Sequence, residues 1–356
     1  MNEFLFTYTP TFILIGILFG ATMLIALYST YAERKVAAFM QDRIGPNRFG
    51  PMGIFQPLAD GMKFFLKEEV IPVASNRFLF VLGPCIAMVA ALMTGVVIPW
   101  GQQLTIFGRT VSLQIVDINI GVLYVFATVS IGIYGIMIGG WASNNKFSLL
   151  GALRATSQII SYELGMGLAL IALLMVTGSL SFKEIAEQQH GFWNGHWFSW
   201  HFFVQPVGFL IFLVCAFAEC NRTPFDLPET ETELIGGYHT EYSSMKLGLY
   251  LFAEYINMFI SSAVMSTLYF GGYNFPFMDW TTAHLGANAT TLIGTAVLFG
   301  KIFFFIFFFM WVRWTIPRFR YDQLMHLGWR ILIPLALVNI FATAVGIYFF
   351  NNGYFH

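Results

Sequence analysis

Eight stretches of the chain stay apolar for about 20 residues, at approximately 10–31, 78–99, 119–140, 159–180, 204–220, 246–270, 293–313 and 330–350. About 20 residues is the length a helix needs to cross roughly 30 Å of hydrocarbon. Open strands would leave backbone groups unpaired in lipid, so the pattern predicts helices throughout. The expected fold is an all-α integral membrane protein of about eight transmembrane helices, one membrane domain over residues 1–356. Between the first two stretches, Ile54, Leu58, Met62, Phe65 and Leu66 recur near helical spacing, with Asp60, Lys63 and Lys67 off that face and Pro57 near the start. This predicts a cytoplasmic-side amphipathic helix, lying in the membrane interface or docked on a soluble partner.

Charge changes the picture by fixing orientation. Fifteen of the eighteen Lys and Arg residues fall in the connections between the first and second, third and fourth, fifth and sixth, and seventh and eighth stretches. Only Arg109 and Lys183 fall on the other side, and Lys301 lies inside the seventh stretch. The basic side faces the cytoplasm by the positive-inside bias, so both termini are expected outside. The first apolar stretch has no cationic segment before it and reads as a span, not as a cleaved signal.

Composition agrees and excludes other classes. Of 356 residues, 57% are hydrophobic and 10% charged, against about 25% charged in soluble domains. A net charge of −1 offers no basic field for nucleic acid. Cys85, Cys215 and Cys220 form no CxxC pair, so no zinc or iron–sulfur cage is expected on this chain. Cys215 and Cys220 read as a possible disulfide or, better, as small buried residues. The outer connection 181–203 mixes His190, His196 and His201 with Trp193, Trp197 and Trp200 at no zinc-ligand spacing, which suits an interfacial belt. No metal site is expected. The pairs Gly16/Gly20 and Gly135/Gly139 predict close helix packing.

Candidate chemistry lies in the charges that share the apolar stretches. Glu163, Glu219 and Glu254 all fall toward the cytoplasmic half, and each costs about 2.5–3.5 kcal/mol near a helix centre. Glu254, Asn257 and Ser261 share one helix face, and Gln158, Ser161 and Tyr162 neighbour Glu163. Such stripes can hold water and relay protons. Glu219 has a competing reading as an edge carboxylate paired with Arg222, whereas Glu254 has no base within a turn. Asp226, Glu229, Glu231, Glu233 and Glu241 crowd the connection 221–245 among Pro224, Pro228, Gly236 and Gly237. That connection is either a solvated charge run or a funnel into the bilayer. The chain carries no dinucleotide fingerprint, P-loop or Ser–His–Asp set, so any redox centre must come from partners.

Three blocks then point to a family. Glu33–Glu68 (ERKVAAFMQDRIGPNRFGPMGIFQPLADGMKFFLKE), Gly151–Glu163 (GALRATSQIISYE) and Ala218–Met245 (AECNRTPFDLPETETELIGGYHTEYSSM) resemble the H-type membrane subunit, also numbered subunit 1, of respiratory complex I. The resemblance covers nearly the whole chain and is weakest at 181–203. It implies a subunit of a proton-translocating NADH:quinone oxidoreductase that joins the redox arm to the membrane arm. Quinone would be substrate, with FMN and iron–sulfur clusters on partner subunits and none on this chain. The implied partners are the quinone-site and terminal-cluster subunits of the soluble arm, small and antiporter-like membrane subunits, and lipid. The implied location is the bacterial inner membrane rather than the mitochondrial one. Carried onto this chain, Arg34, Arg43, Arg48 and Asp60 would line or brace a quinone tunnel, and Arg154 would belong to the loop closing the chamber. Arg222 would join Glu163, Glu219, Asp226, Glu229, Glu231, Glu233, Glu241 and Glu254 in a path of charge toward the antiporter-like subunits. Thr230 and Thr232 stand where smaller residues are expected.

Three other readings stay open. The equivalent subunit of a membrane-bound hydrogenase or ferredoxin-linked oxidoreductase would keep the fold, but the loop 33–68 speaks against it. An autonomous ion transporter could use Glu254 and Lys301, but the inverted repeat common in transporters is not visible. A purely structural anchor would explain the loops and leave the intramembrane acids without a role.

Overall fold

A computed structural model of the chain describes residues 2–106, 109–190, 199–228 and 234–351. Helices α1 (Asn2–Met40), α2 (Gln56–Leu66), α3 (Arg77–Thr94), α4 (Gly121–Ala142) and α5 (Lys146–Thr177) build the first half. Helices α6 (Pro206–Glu219), α7 (Ser244–Tyr269), α8 (Ala287–Thr315) and α9 (Ile333–Asn351) build the second. Seven helices among the described residues are long and apolar enough to cross a membrane, and α6 is a shorter apolar helix. The one sheet described is a small antiparallel hairpin on the face opposite the basic connections, β1 (Gln103–Ile106) and β2 (Arg109–Ser112). Its four-residue strands are too short to show as a periodic pattern in the sequence.

The helices differ in length for reasons that matter to the site. At 39 residues α1 is about 58 Å long and extends past the apolar stretch 10–31 at both ends, carrying Glu33 and Arg34 toward its C-terminal end. At 14 residues α6 covers only about 21 Å. The helix His201–Val204 precedes it, and Pro206, lacking an N–H, sits at the break. Gln205 at that break is tied to α9: Asn339 Nδ2 donates to its Oε1 at 3.0 Å, and its Nε2 donates to Thr343 Oγ1 at 2.7 Å.

At its C-terminal end α6 stops early, and the chain from Cys220 to Pro228 turns back into the bundle, buried at every residue. Irregular backbone at such depth must find partners inside the protein. Gln158 on α5 supplies them, its Nε2 donating to Ala218 O at 3.1 Å and to Phe225 O at 2.9 Å. The solvated-run reading of this connection therefore fails for its first part.

Helix α7 is the hub. It packs on α1, α2, α3 and α8, and its residues Met258–Tyr269 are all buried. Helices α3 and α4 run in close contact because Gly135 lacks a side chain: a Cβ there would stand 2.7 Å from Gly83 O. A Cβ on Gly16 or Gly20 would meet nothing within 4 Å, so that pair does not mediate packing within the chain. The segment before α9 widens into a π-helical turn, Leu327–Leu332. There Tyr162 OH donates to Leu324 O at 2.9 Å and Trp329 Nε1 to Ser161 Oγ at 3.2 Å, fastening α9 to α5.

All three cysteines are free, with Cys215 and Cys220 buried; they form no disulfide. The amphipathic helix is α2. Pro57 is its buried anchor, while Leu58, Met62, Phe65 and Leu66 stay exposed on the chain taken alone.

Candidate functional site

Two adjoining cavities lie between α4, α5, α6 and α7, of about 20 and 40 Å³. Each has room for at least one water. Glu219, at the end of α6, lines both, as do Val129 and Asn257. Glu163 lines the first cavity and Glu254 the second. The three glutamates that the sequence singled out thus line two small cavities that meet at Glu219. Each flanking carboxylate has a hydroxyl partner: Ser130 Oγ donates to Glu163 Oε1 at 2.8 Å, and Tyr238 OH to Glu254 Oε1 at 3.1 Å.

Arg222 does not neutralise Glu219. The inward turn after α6 directs its guanidinium to α1, where Nη1 donates to Glu33 Oε2 at 2.9 Å. Glu33 also takes Arg313 Nη1 on Oε1 at 2.5 Å and the Tyr255 hydroxyl on Oε2 at 2.9 Å. The Arg222 guanidinium lies 4.2 Å from the centre of the Tyr255 ring. Burial disfavours the charge on Arg222, but Glu33, then Tyr255 and Glu254, more than restore it and hold its pKa above the ordinary arginine value. Asn221, one residue back, lines the cavity of Glu254. Asp226, four residues on, is buried and accepts from Arg318 Nη2 at 3.0 Å.

Beyond Glu33 opens a third cavity, of about 370 Å³, framed by α1, α2, α7 and α8. Its polar lining is Thr30, Glu33, Arg34, Asp60, Lys63 and Tyr255; Leu27, Phe64, Leu251, Phe252 and Trp314 supply apolar walls. Arg34 Nη1 and Asp60 Oδ2 stand 2.6 Å apart and hold α1 to α2 across this cavity. A few polar groups in an apolar hollow of this size fit the general character of a small-molecule site.

Residues 13–344 match the sequence model of the NADH dehydrogenase family. The chain belongs to that family. A relative from Cytophaga hutchinsonii, the first of its H-type NADH-quinone oxidoreductase subunits, is 65% identical over 338 residues, covering 95% of this chain and 96% of that protein. The H-type NADH-quinone oxidoreductase subunit of Flavobacterium johnsoniae is 65% identical over 331 residues, 93% of each chain. A protein from Rhodothermus marinus, named NADH-quinone oxidoreductase subunit 8, is 46% identical over 339 residues, 94% of this chain and 96% of that one. The chain is therefore an H-type subunit of an NADH-quinone oxidoreductase complex, and its partners are other subunits of that complex.

Within this family member the remaining singled-out residues fall in different places. Arg43 and Arg48 sit on the exposed turn after α1, Arg43 bonded to Gln41, and neither lines the third cavity. Arg154 on α5 stacks on Tyr321, 5.9 Å from the ring centre. Glu241 accepts from Asn145 Nδ2 at 2.6 Å, between the end of α4 and the start of α5. Glu229, Glu231 and Glu233 lie outside the described residues, as do Thr230, Thr232, Trp193, His196 and Trp197.

Lys301 is not on the acidic track. Its ammonium donates to Phe270 O at 2.7 Å, Gly272 O at 2.8 Å and Asn274 O at 2.7 Å, capping the turn after α7. Phe270 lies sixteen positions beyond Glu254, about 24 Å along a helix. A transporter pathway using Glu254 and Lys301 together loses its geometric basis.

Sequence reasoning missed Glu33. It stands in Glu33-Arg34-Lys35 just after an apolar stretch, where a carboxylate beside two bases reads as a surface group. Tyr255 and Ser130 were missed too, since a hydroxyl on an apolar helix carries little signal of its own, and so was Tyr238, in the short turn Gly237–His239.

Proposed function

We propose that this subunit forms the membrane side of a quinone chamber and couples quinone reduction to proton translocation through its buried acids. The observation that carries the reading is the position of Glu33. It lines the 370 Å³ cavity on one side and is paired on the other with Arg222, which adjoins the cavity holding Glu254.

The cavity framed by α1, α2, α7 and α8 is read as the route by which a quinone headgroup leaves the lipid, its apolar walls accepting the ring and tail. Arg34 and Asp60 brace that route. FMN and iron–sulfur clusters on partner subunits would supply the electrons. Reduction of a quinone to a quinol takes two electrons and two protons, so negative charge or proton demand arises beside Glu33. Any change there weakens or strengthens its hold on Arg222. The freed or retained positive charge then alters the balance at Glu254, Glu219 and Glu163, which exchange protons through the two small cavities. Asp226 and Glu241, with Glu229, Glu231 and Glu233 in the same connection, would extend the acidic path. The bacterial origin of the relatives supports an inner-membrane location, with the Arg34 end of α1 in the cytoplasm and both termini outside.

Glu219→Gln tests this reading, because Glu219 is the one acid lining both small cavities. In the whole complex reconstituted in vesicles, the variant should retain NADH oxidation by an artificial acceptor and lose quinone-linked proton pumping. Undiminished pumping would remove the acidic track from the mechanism.

A further inference from the structure

On the face opposite Arg34 and Arg222, a separate hollow of about 770 Å³ lies between the start of the α1 span, the β-hairpin and the helix Phe182–Gln188. We infer that it seats the headgroup of an anionic phospholipid from that leaflet. The connections on this face contain two Lys or Arg residues in all, Arg109 and Lys183, against the acids Asp117, Glu184, Glu187 and Asp279. Both bases line the same hollow, although they are 74 positions apart and come from different connections. The sole carboxylate among its lining residues is Asp117, 3.6 Å from Lys183, so bases outnumber acids two to one in that lining, on an otherwise acidic face. Thr110 and Ser112 add hydroxyl groups suited to phosphate oxygens.

Hydrophobic continuity selects a lipid over a free anion. The wall facing the membrane is Pro10 and Leu14 of α1. Beside them on the same side of α1, Ile13 and Ile17 are 57% and 63% exposed, an apolar strip along which an acyl chain can lie. A headgroup held by Arg109 and Lys183 would have its tails against that strip. A soluble anion would leave the strip unused. The acid-lined cavities between α4 and α7 share no residue with this hollow, so the site is independent of the proposed quinone chemistry.

The test uses the intact complex, stripped of lipid and supplied with phosphatidylglycerol, phosphatidylethanolamine or inorganic phosphate. A benzophenone amino acid replacing Thr110 should cross-link to phosphatidylglycerol, and R109Q together with K183Q should lower that adduct by about an order of magnitude. Exchanging the bases, R109K with K183R, should restore it. D117N, which removes the opposing charge without touching either base, should raise it. An adduct unchanged by R109Q/K183Q, equal labelling of phosphatidylethanolamine, or full displacement by inorganic phosphate would overturn the proposal. A cross-link from position 110 to a neighbouring subunit would also overturn it, assigning the hollow to a protein contact.

Discussion

Arg222 and Glu33, 189 positions apart, meet at 2.9 Å with only 5% and 8% of their side chains exposed. Arg313 reaches the same carboxylate from α8, so one buried anion answers two guanidiniums. A pair of this kind contributes little net stability against an apolar substitute, because desolvation offsets the attraction. Its removal from one side is a different matter.

Glu33→Gln would leave Arg222 buried without its counter-ion, at a cost of about 3–5 kcal/mol. The expected result is a lower melting temperature of the complex, or loss of this subunit from it on native gels. Replacing Glu33 and Arg222 together by apolar residues of similar volume should recover much of that stability but not quinone reduction. Equal stability of Glu33→Gln and the parent complex would contradict the buried-pair description.

Glu254→Gln should abolish most quinone-linked pumping, whereas Tyr238→Phe should weaken it only modestly. The tyrosine contributes one hydroxyl hydrogen bond to that carboxylate, worth about 1.5–3 kcal/mol when the acceptor is charged. Proton uptake measured with a pH-sensitive dye in vesicles separates the two. A Tyr238→Phe complex as impaired as Glu254→Gln would mean that the hydroxyl itself carries the proton.

Arg34→Ala should raise the apparent KM for quinone several-fold, since it frees Asp60 and lets α2 move from α1. Arg43→Ala should change it much less, because its side chain is on the exposed turn and not in the cavity. Steady-state kinetics with a short-tailed quinone would show the contrast. Comparable effects from both would mean that a partner subunit draws the 41–50 turn over the mouth of the cavity.

Lys301→Met should loosen the turn after α7, stripping the donor from three carbonyls at on the order of 1–3 kcal/mol for each one left unsatisfied. Hydrogen exchange at residues 270–274 should quicken while pumping per quinone reduced stays unchanged. A fall in that ratio would return Lys301 to the coupling pathway.

His201 gives a pH dependence. Burial lowers its pKa below the ordinary 6.5, opposed in part by the contact of Nδ1 with Leu268 O. The unfolded chain therefore takes up the proton first as pH falls through the ordinary value. The stabilisation is complete above it and is lost on acidification. Local exchange at residues 199–205 should be faster near about pH 5.5 than near about pH 7.5, and His201→Phe should flatten that difference.

The contrast between α6 and α7 shows how far sequence carries. Both appear as apolar stretches, and apolar length alone determines that each is a helix in lipid. Length also shows that 204–220 is marginal, but not that the chain after Glu219 turns inward and is stapled by Gln158. That depends on a side chain 60 positions away. The acids Glu163, Glu219 and Glu254 were legible because a charge in an apolar run is costly and therefore conspicuous. Glu33 was not, because its two arginines come from the turn after α6 and from α8, and nothing local separates it from a surface carboxylate. Arg43 and Arg48 resemble Arg34 in sequence, yet only Arg34 faces α2.

What the chain determines by itself is its solvent: the spacing of apolar residues fixes a helical membrane bundle, its charge asymmetry implies an orientation, and its family follows from the matched length. Tertiary structure decided which charges meet. Ion pairing and cavity lining are set within a few ångströms, by residues that packing brings together from distant parts of the chain. One-dimensional order encodes helix faces, but not which faces are neighbours.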